Sequence, residues 1–298
     1  MTRRDFLPSV AALGGLAALP LQAQSPNGTP APKDPNPPAA FKLKPNFGRL
    51  KQSCCGSVFA HSGLDFDQQC RMLAELGFQG FDLMAPDRWP TLKKYGLVST
   101  MSSGGAGTIK DALNRKENHD ALEKTTRDLL NKCAEAGSPN LITFSGNRAG
   151  MSDEEGLDNC ALFLNKVKAQ AEDKNVNICM ELLNSRVNHK DYMCDHVAWG
   201  VELCKRVNSP RIKLLFDIYH MQIMDGNVVS HITSNIEWLG HFHTGGVPGR
   251  HEIDDTQELY YPAIMIAIVG TGFKGYVAQE FIPTYPNKLD SLREAIKI

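Results

Sequence analysis

From Phe47 to the C-terminus, short apolar runs alternate with longer stretches in which apolar residues recur every three or four positions. The first pattern is that of strands and the second that of one face of a helix. The strand-like runs end at Cys55, Met84, Ser103, Ser145, Leu183, Ile218, His243 and Phe281. Helical periodicity covers Asp67–Leu76, Ala121–Ala136, Glu154–Ala171, Val197–Val207, Val228–Leu239 and Pro262–Val269. Local signals agree with these limits. Asp65 stands three before Gln68 and Ser152 three before Glu155, as helix starts require, while Gly77, Gly137 and Gly272 supply stops. The later runs, such as Ile212–Phe216 and Tyr276–Ala278, are continuously apolar, which suits parallel strands covered on both faces. Eight strand–helix units over residues 46–298 average about 32 residues each, within the ~250 typical of a (β/α)8 barrel. A doubly wound sheet would announce itself by a Gly-rich turn after the first strand, and Cys54-Cys55-Gly56-Ser57 is not one. The pattern therefore predicts an α/β chain with a single (β/α)8 barrel.

The first 45 residues read differently. Residues 1–24, with Arg3-Arg4 before a short apolar run and small residues near Ala23, have the layout of a twin-arginine export signal. Interrupted by Gly14, Gly15 and Pro20, that run would span a ~30 Å bilayer poorly, so no stable membrane insertion is expected after cleavage and the mature protein is placed in the periplasm. Residues 25–45 hold seven of the 17 prolines and read as an extended linker. This front part carries a net charge of +3, which leaves −4 on residues 46–298. No basic excess remains to neutralise phosphates, so a nucleic-acid partner is not expected. Eight cysteines occur without any Cys-x-x-Cys pair, and a chain this long needs no staples, so they read as buried thiols.

Polar residues interrupt four successive strands at their C-terminal ends, where barrel enzymes place their chemistry. These are Glu181, Asp217, His243 and Glu280, separated by 36, 26 and 37 residues, each about one βα unit. Three carboxylates and an imidazole cannot share a dry pocket without a counter-charge. One divalent cation resolves this. An oxygen-rich set with one nitrogen favours Mn²⁺, Mg²⁺ or Co²⁺ over Zn²⁺. Seven of the nine histidines lie between His189 and His251, which also points to a site in the C-terminal half.

The stretches Glu181-Leu182-Leu183-Asn184, Asp217-Ile218-Tyr219-His220-Met221-Gln222, His241 to Glu252 and Gln279-Glu280-Phe281 resemble the xylose isomerase-like TIM-barrel family, nearest its hydroxypyruvate isomerase and ketose 3-epimerase branches. The resemblance implies a metal site of Glu181, Asp217, His243 and Glu280, with Glu181 and Glu280 also exchanging protons with the substrate. It implies substrate contacts from His220, Arg250 and, in the loop after the fifth strand, His189. Asp82 falls where relatives often carry Glu. The implied reaction is isomerisation of a small hydroxy-carbonyl compound through an enediolate, as in hydroxypyruvate to tartronate semialdehyde. A ketose or keto-sugar 3-epimerase is the alternative, or a metal-dependent lyase or hydrolase on the same barrel. His243 and the Val247–Glu252 run point to different branches, since the epimerases carry His at the third ligand while the run is similar to the hydroxypyruvate branch. Val187 stands where epimerases carry a second Glu. Homo-oligomers are common in the family.

Overall fold

The computed structural model describes residues 50–298. The export signal and the proline-rich linker expected over residues 1–45 lie outside the described residues.

The elements follow in the order β1 (Lys51–Cys54), α1 (Phe66–Leu76), β2 (Gly80–Phe81), α2 (Trp89–Lys94), β3 (Val98–Ser99), β4 (Ser102–Ala106), α3 (His119–Ala136), β5 (Asn140–Thr143), α4 (Asp153–Lys174), β6 (Asn177–Glu181), α5 (Val197–Val207), β7 (Ile212–Asp217), α6 (Ile218–Met224), α7 (Val228–Asn235), β8 (Leu239–Thr244), α8 (Tyr261–Gly270), β9 (Tyr276–Gln279) and α9 (Lys288–Ala295). All strand pairs are parallel, in the spatial order β3-β2-β1-β9-β8-β7-β6-β5-β4. The two ends of this order, β3 and β4, are separated in sequence only by Thr100 and Met101. Met84, beyond β2, bridges Ser102 in β4. The sheet thus curls into a nearly closed barrel of nine short strands. The expected third strand is present as two pieces, β3 and β4, between which the Thr100 side chain donates to Asp82 Oδ1.

Strand alternation sorts side chains between two environments. Met180, Leu214, Phe216 and Phe242 face outward into the layer between barrel and helices, with Leu73, Phe163 and Tyr261. Cys179 and Leu215 face inward, where with Met101 and Ile142 they form a small apolar plug. Glu181 and Asp217 continue the inward register of Cys179 and Leu215, one pleat nearer the C-terminal end. The helix signals act as their chemistry dictates. Asp65 and Gln68 form a reciprocal capping box at α1, Ser152 accepts from Glu155 N at α4, and Gly77 and Gly137 close α1 and α3 in the left-handed region. All eight cysteines are buried and unpaired. Among the described residues, no helix is long and apolar enough to cross a membrane.

Tyr192 ties the frame to the site. Its fully buried hydroxyl donates to Glu181 O at 2.9 Å and accepts from Ser145 N at 3.1 Å. Tyr192→Phe strands both backbone groups in the interior, each at a cost of about 1–3 kcal/mol if unrelieved. A fall in Tm of roughly 2–4 °C per kcal/mol lost is the expected result by thermal melting, and an unchanged Tm would show that these groups find other partners.

Candidate metal centre

Four residues from four successive βα units converge above the plug. Glu181 ends β6, Asp217 ends β7, His243 lies one residue before the end of β8, and Glu280 follows β9. One donor atom from each lies within 4.8 Å of the other three. Two ligands at ~2.0–2.6 Å from a shared ion are separated by no more than about 5 Å, so the four can reach one centre. His243 Nδ1 is 3.8 Å from Glu181 Oε1, 4.0 Å from Asp217 Oδ2 and 2.5 Å from Glu280 Oε2. His243 Nδ1 is nevertheless buried without a hydrogen bond of acceptable geometry among the described residues. Buried polar atoms rarely stay unpaired. An unbonded imidazole nitrogen facing three carboxylates fits a cation bound among them.

The electrostatics show the same need. Burial, reinforced by Glu280, pushes the Glu181 carboxyl up to about 8. Burial also works against a charge on Glu280, but His243 and Arg250 outweigh it and hold that carboxyl at about 2. For His243, burial opposes the charged ring, while Glu280 and Asp82 raise it well above the ordinary value. A site of protein groups alone would therefore have to take up protons, which is the expected response of crowded carboxylates lacking a cation.

Asp217 has two tasks. Its Oδ1 accepts from His220 N at 3.0 Å, capping α6, while Oδ2 faces the site. This cap brings His220 round to the same centre. His220 Nδ1 accepts from Asn184 N at 3.2 Å and lies 2.6 Å from Asn184 Nδ2, which leaves the proton on Nε2. Nε2 is buried, 3.6 Å from Asp217 Oδ2, and has no hydrogen-bond partner among the described residues. Burial lowers this histidine to about 4, so it is a neutral donor.

Arg250 enters from the loop after β8, where its φ of 60° places it in the left-handed region. Its Nη2 lies 3.0 Å from Asp217 Oδ2 and 2.7 Å from Glu280 Oε2, and its guanidinium sits over the Tyr219 ring at 5.4 Å. The loop is clamped by Glu252, which accepts from Thr284 N, Thr284 Oγ1, Tyr285 N and Ser291 Oγ. Ile282 N donates to Arg250 O at 2.7 Å. His189 is half-buried at the rim, its ring 5.2 Å from that of His220. Val187 is 68% exposed and belongs to the outer surface of this loop. The structure thus gathers Glu181, Asp217, His243, Glu280, His220 and Arg250 at one centre, with His189 at its edge.

Sequence reasoning gave no role to the polar groups behind the site. Asp82, fully buried, accepts through Oδ2 from His243 Nε2 at 2.7 Å and His241 Nε2 at 3.2 Å. The spacing of His241 and His243 on one strand was the available signal, since residues two apart share a face.

The xylose isomerase-like TIM barrel family matches residues 70–298. The chain belongs to this family. Within it, a 2-oxo-tetronate isomerase of Cupriavidus necator is 33% identical over 127 residues, 43% of this chain and 46% of that protein. A Homo sapiens protein provisionally named hydroxypyruvate isomerase is 33% identical over 104 residues, 35% of this chain and 38% of that one. These matches span less than half the length of either relative. Among solved structures, a 3-keto-D-glucoside 4-epimerase from E. coli superposes with a TM-score of 0.70 at 19% identity, covering 83% of this chain and 98% of that one. At that identity the likeness speaks for the fold alone.

Proposed function

We propose that this protein is a metal-dependent isomerase of a small hydroxy-carbonyl compound, acting through an enediolate, with hydroxypyruvate to tartronate semialdehyde as its reaction. The observation that carries the reading is the convergence of two carboxylates, Glu181 and Glu280, from separate strand ends on one centre with Asp217 and His243. Such a pair can supply a base and an acid to one substrate. The named relatives that match at 33% identity support an isomerase.

Glu181, Asp217, His243 and Glu280 would hold the divalent cation. When bound, it supplies Lewis-acid polarisation of the carbonyl and the neighbouring hydroxyl. The remaining chemistry belongs to the chain. Glu280, held ionised, takes the proton from C3 of hydroxypyruvate. Glu181, ionised once the cation is bound, takes the hydroxyl proton from O3 and delivers it to C2, while Glu280 returns the C3 proton to O2, so both carboxylates end as they began and product and substrate have the same composition. The Nε2–H of His220 and the fork of Arg250 donate to the substrate oxygens and stabilise negative charge as it develops. His189 contacts the far end of the substrate from the rim.

The test is a proton–deuterium exchange screen in heavy water with Mn²⁺ or Mg²⁺, followed by NMR. Deuterium should enter C3 of recovered hydroxypyruvate faster than in the enzyme-free control, with tartronate semialdehyde accumulating. Exchange at C3 of a ketohexose but not in hydroxypyruvate would transfer the assignment to 3-epimerisation. Exchange in neither would overturn proton-transfer chemistry for this site.

A further inference from the structure

The four cation-facing residues do not by themselves determine which nitrogen of His243 carries its proton. That is decided on the opposite side of the ring. Asp82 projects from just beyond β2 into the barrel interior and is fully buried. Its Oδ1 accepts from Thr100 Oγ1, which is paired in turn with Ser53 Oγ at 2.6 Å. Its Oδ2 lies 2.7 Å from His243 Nε2 and 3.2 Å from His241 Nε2. An ionised carboxylate only accepts, so both Nε2 atoms must carry hydrogen. A neutral imidazole protonated at Nε2 has its lone pair at Nδ1. In His243 that is the atom facing Glu181, Asp217 and Glu280.

We infer that Asp82 is a positioning residue, which fixes His243 in the tautomer and ring orientation that present Nδ1 to the cation. The inference rests on the cation reading above. Without Asp82 the ring is free to carry its proton on Nδ1, where a hydrogen would point at three carboxylates and no lone pair would remain for a ligand bond. A carboxylate on the far nitrogen also makes the near one a stronger donor, and loss of such partners typically weakens metal binding by about 10–100-fold. His241 shares the same oxygen and helps hold the carboxylate in place. Cys55 Sγ, 3.8 Å from Asp82 Oδ2 and 3.9 Å from His243 Nε2, adds a third potential ligand on this side. Both oxygens of Asp82 are, however, already filled by donors from within the barrel, which favours the positioning role over a second ion.

Mn²⁺ binding, followed by loss of the free-ion EPR signal, tests this directly. Wild type should bind one ion per chain, and Asp82→Ala should bind one ion about 10–100-fold more weakly. Asp82→Asn, which keeps one acceptor oxygen, should fall between them. Equal affinity in wild type and Asp82→Ala would overturn the role of Asp82 and leave the cation site standing. No binding by wild type would overturn the cation reading itself. Two ions in wild type and one in Asp82→Ala would make Asp82 a ligand instead of a positioning group. If the Ala variant fails to fold, long-range ¹H–¹⁵N spectra of wild type with Mg²⁺ decide the matter. A proton on Nε2 of His243 is expected, and a neutral ring protonated on Nδ1 would overturn the proposal.

Discussion

Replacing either Glu181 or Glu280 by Gln is expected to lower kcat by about 10²–10⁴-fold, the usual range for loss of a positioned acid or base. Gln retains an oxygen that can face the cation but cannot exchange a proton at neutral pH. Cation binding will weaken as well, so turnover has to be compared at saturating metal. The two variants should then differ in kind. If Glu280 is the base, Glu280→Gln loses both solvent exchange at C3 and product formation. If Glu181 is the acid, Glu181→Gln still washes deuterium into C3 of the substrate while product formation falls. Turnover within tenfold of wild type in either variant would sink the two-carboxylate scheme.

The four converging residues were legible because barrel geometry converts sequence spacing into position. A polar residue that closes an apolar parallel strand must emerge at the C-terminal face, and one βα unit later the next does the same. The long helices were legible for a related reason, since 11 to 22 residues show a full apolar stripe, as in α3, α4 and α5. The short helices α2 and α9, of six and eight residues, have too few turns for a stripe to register. The seven-residue α6 was hidden differently. Its start is encoded in Asp217, whose cap to His220 N is invisible in a sequence where Asp217 already reads as the end of a strand.

Contacts between distant segments account for the rest. At the break between β3 and β4, Thr100 bonds Asp82, a contact that no local propensity encodes. The inward turn of Arg250 depends on Glu252 gripping Thr284, 32 residues further on. Asp82 reads in the sequence as one acidic residue closing a short strand, and only the closed barrel reveals the two histidine nitrogens 159 and 161 residues away. A tight cation site needs such remote support, because crowded carboxylates resist being brought together and contacts outside the cluster must hold them there.

Adding a divalent cation should raise Tm, and the gain should grow with pH. A ligand that binds only the folded state stabilises by RT ln(1 + [L]/Kd), about 2.7 kcal/mol at a hundredfold excess over Kd. At roughly 2–4 °C per kcal/mol for a domain of this size, that amounts to about 5–11 °C. The pH dependence follows from the protons the cation must displace. Between the ordinary Glu value of 4.5 and about 8, Glu181 keeps a proton in the folded chain that it has lost in the unfolded one. The protein without metal therefore loses stability from this group as pH rises through that window. Binding expels the proton from Glu181, and that from His243 Nδ1 where one is present, so apparent affinity climbs with pH and the part due to Glu181 levels off above about 8. Thermal melts with and without Mn²⁺ across this range should show a widening gap, closed by a chelator and absent in Asp217→Ala. A gap that is constant with pH would mean that the ion binds elsewhere, and a gap that persists in Asp217→Ala would remove the four-residue centre as its site.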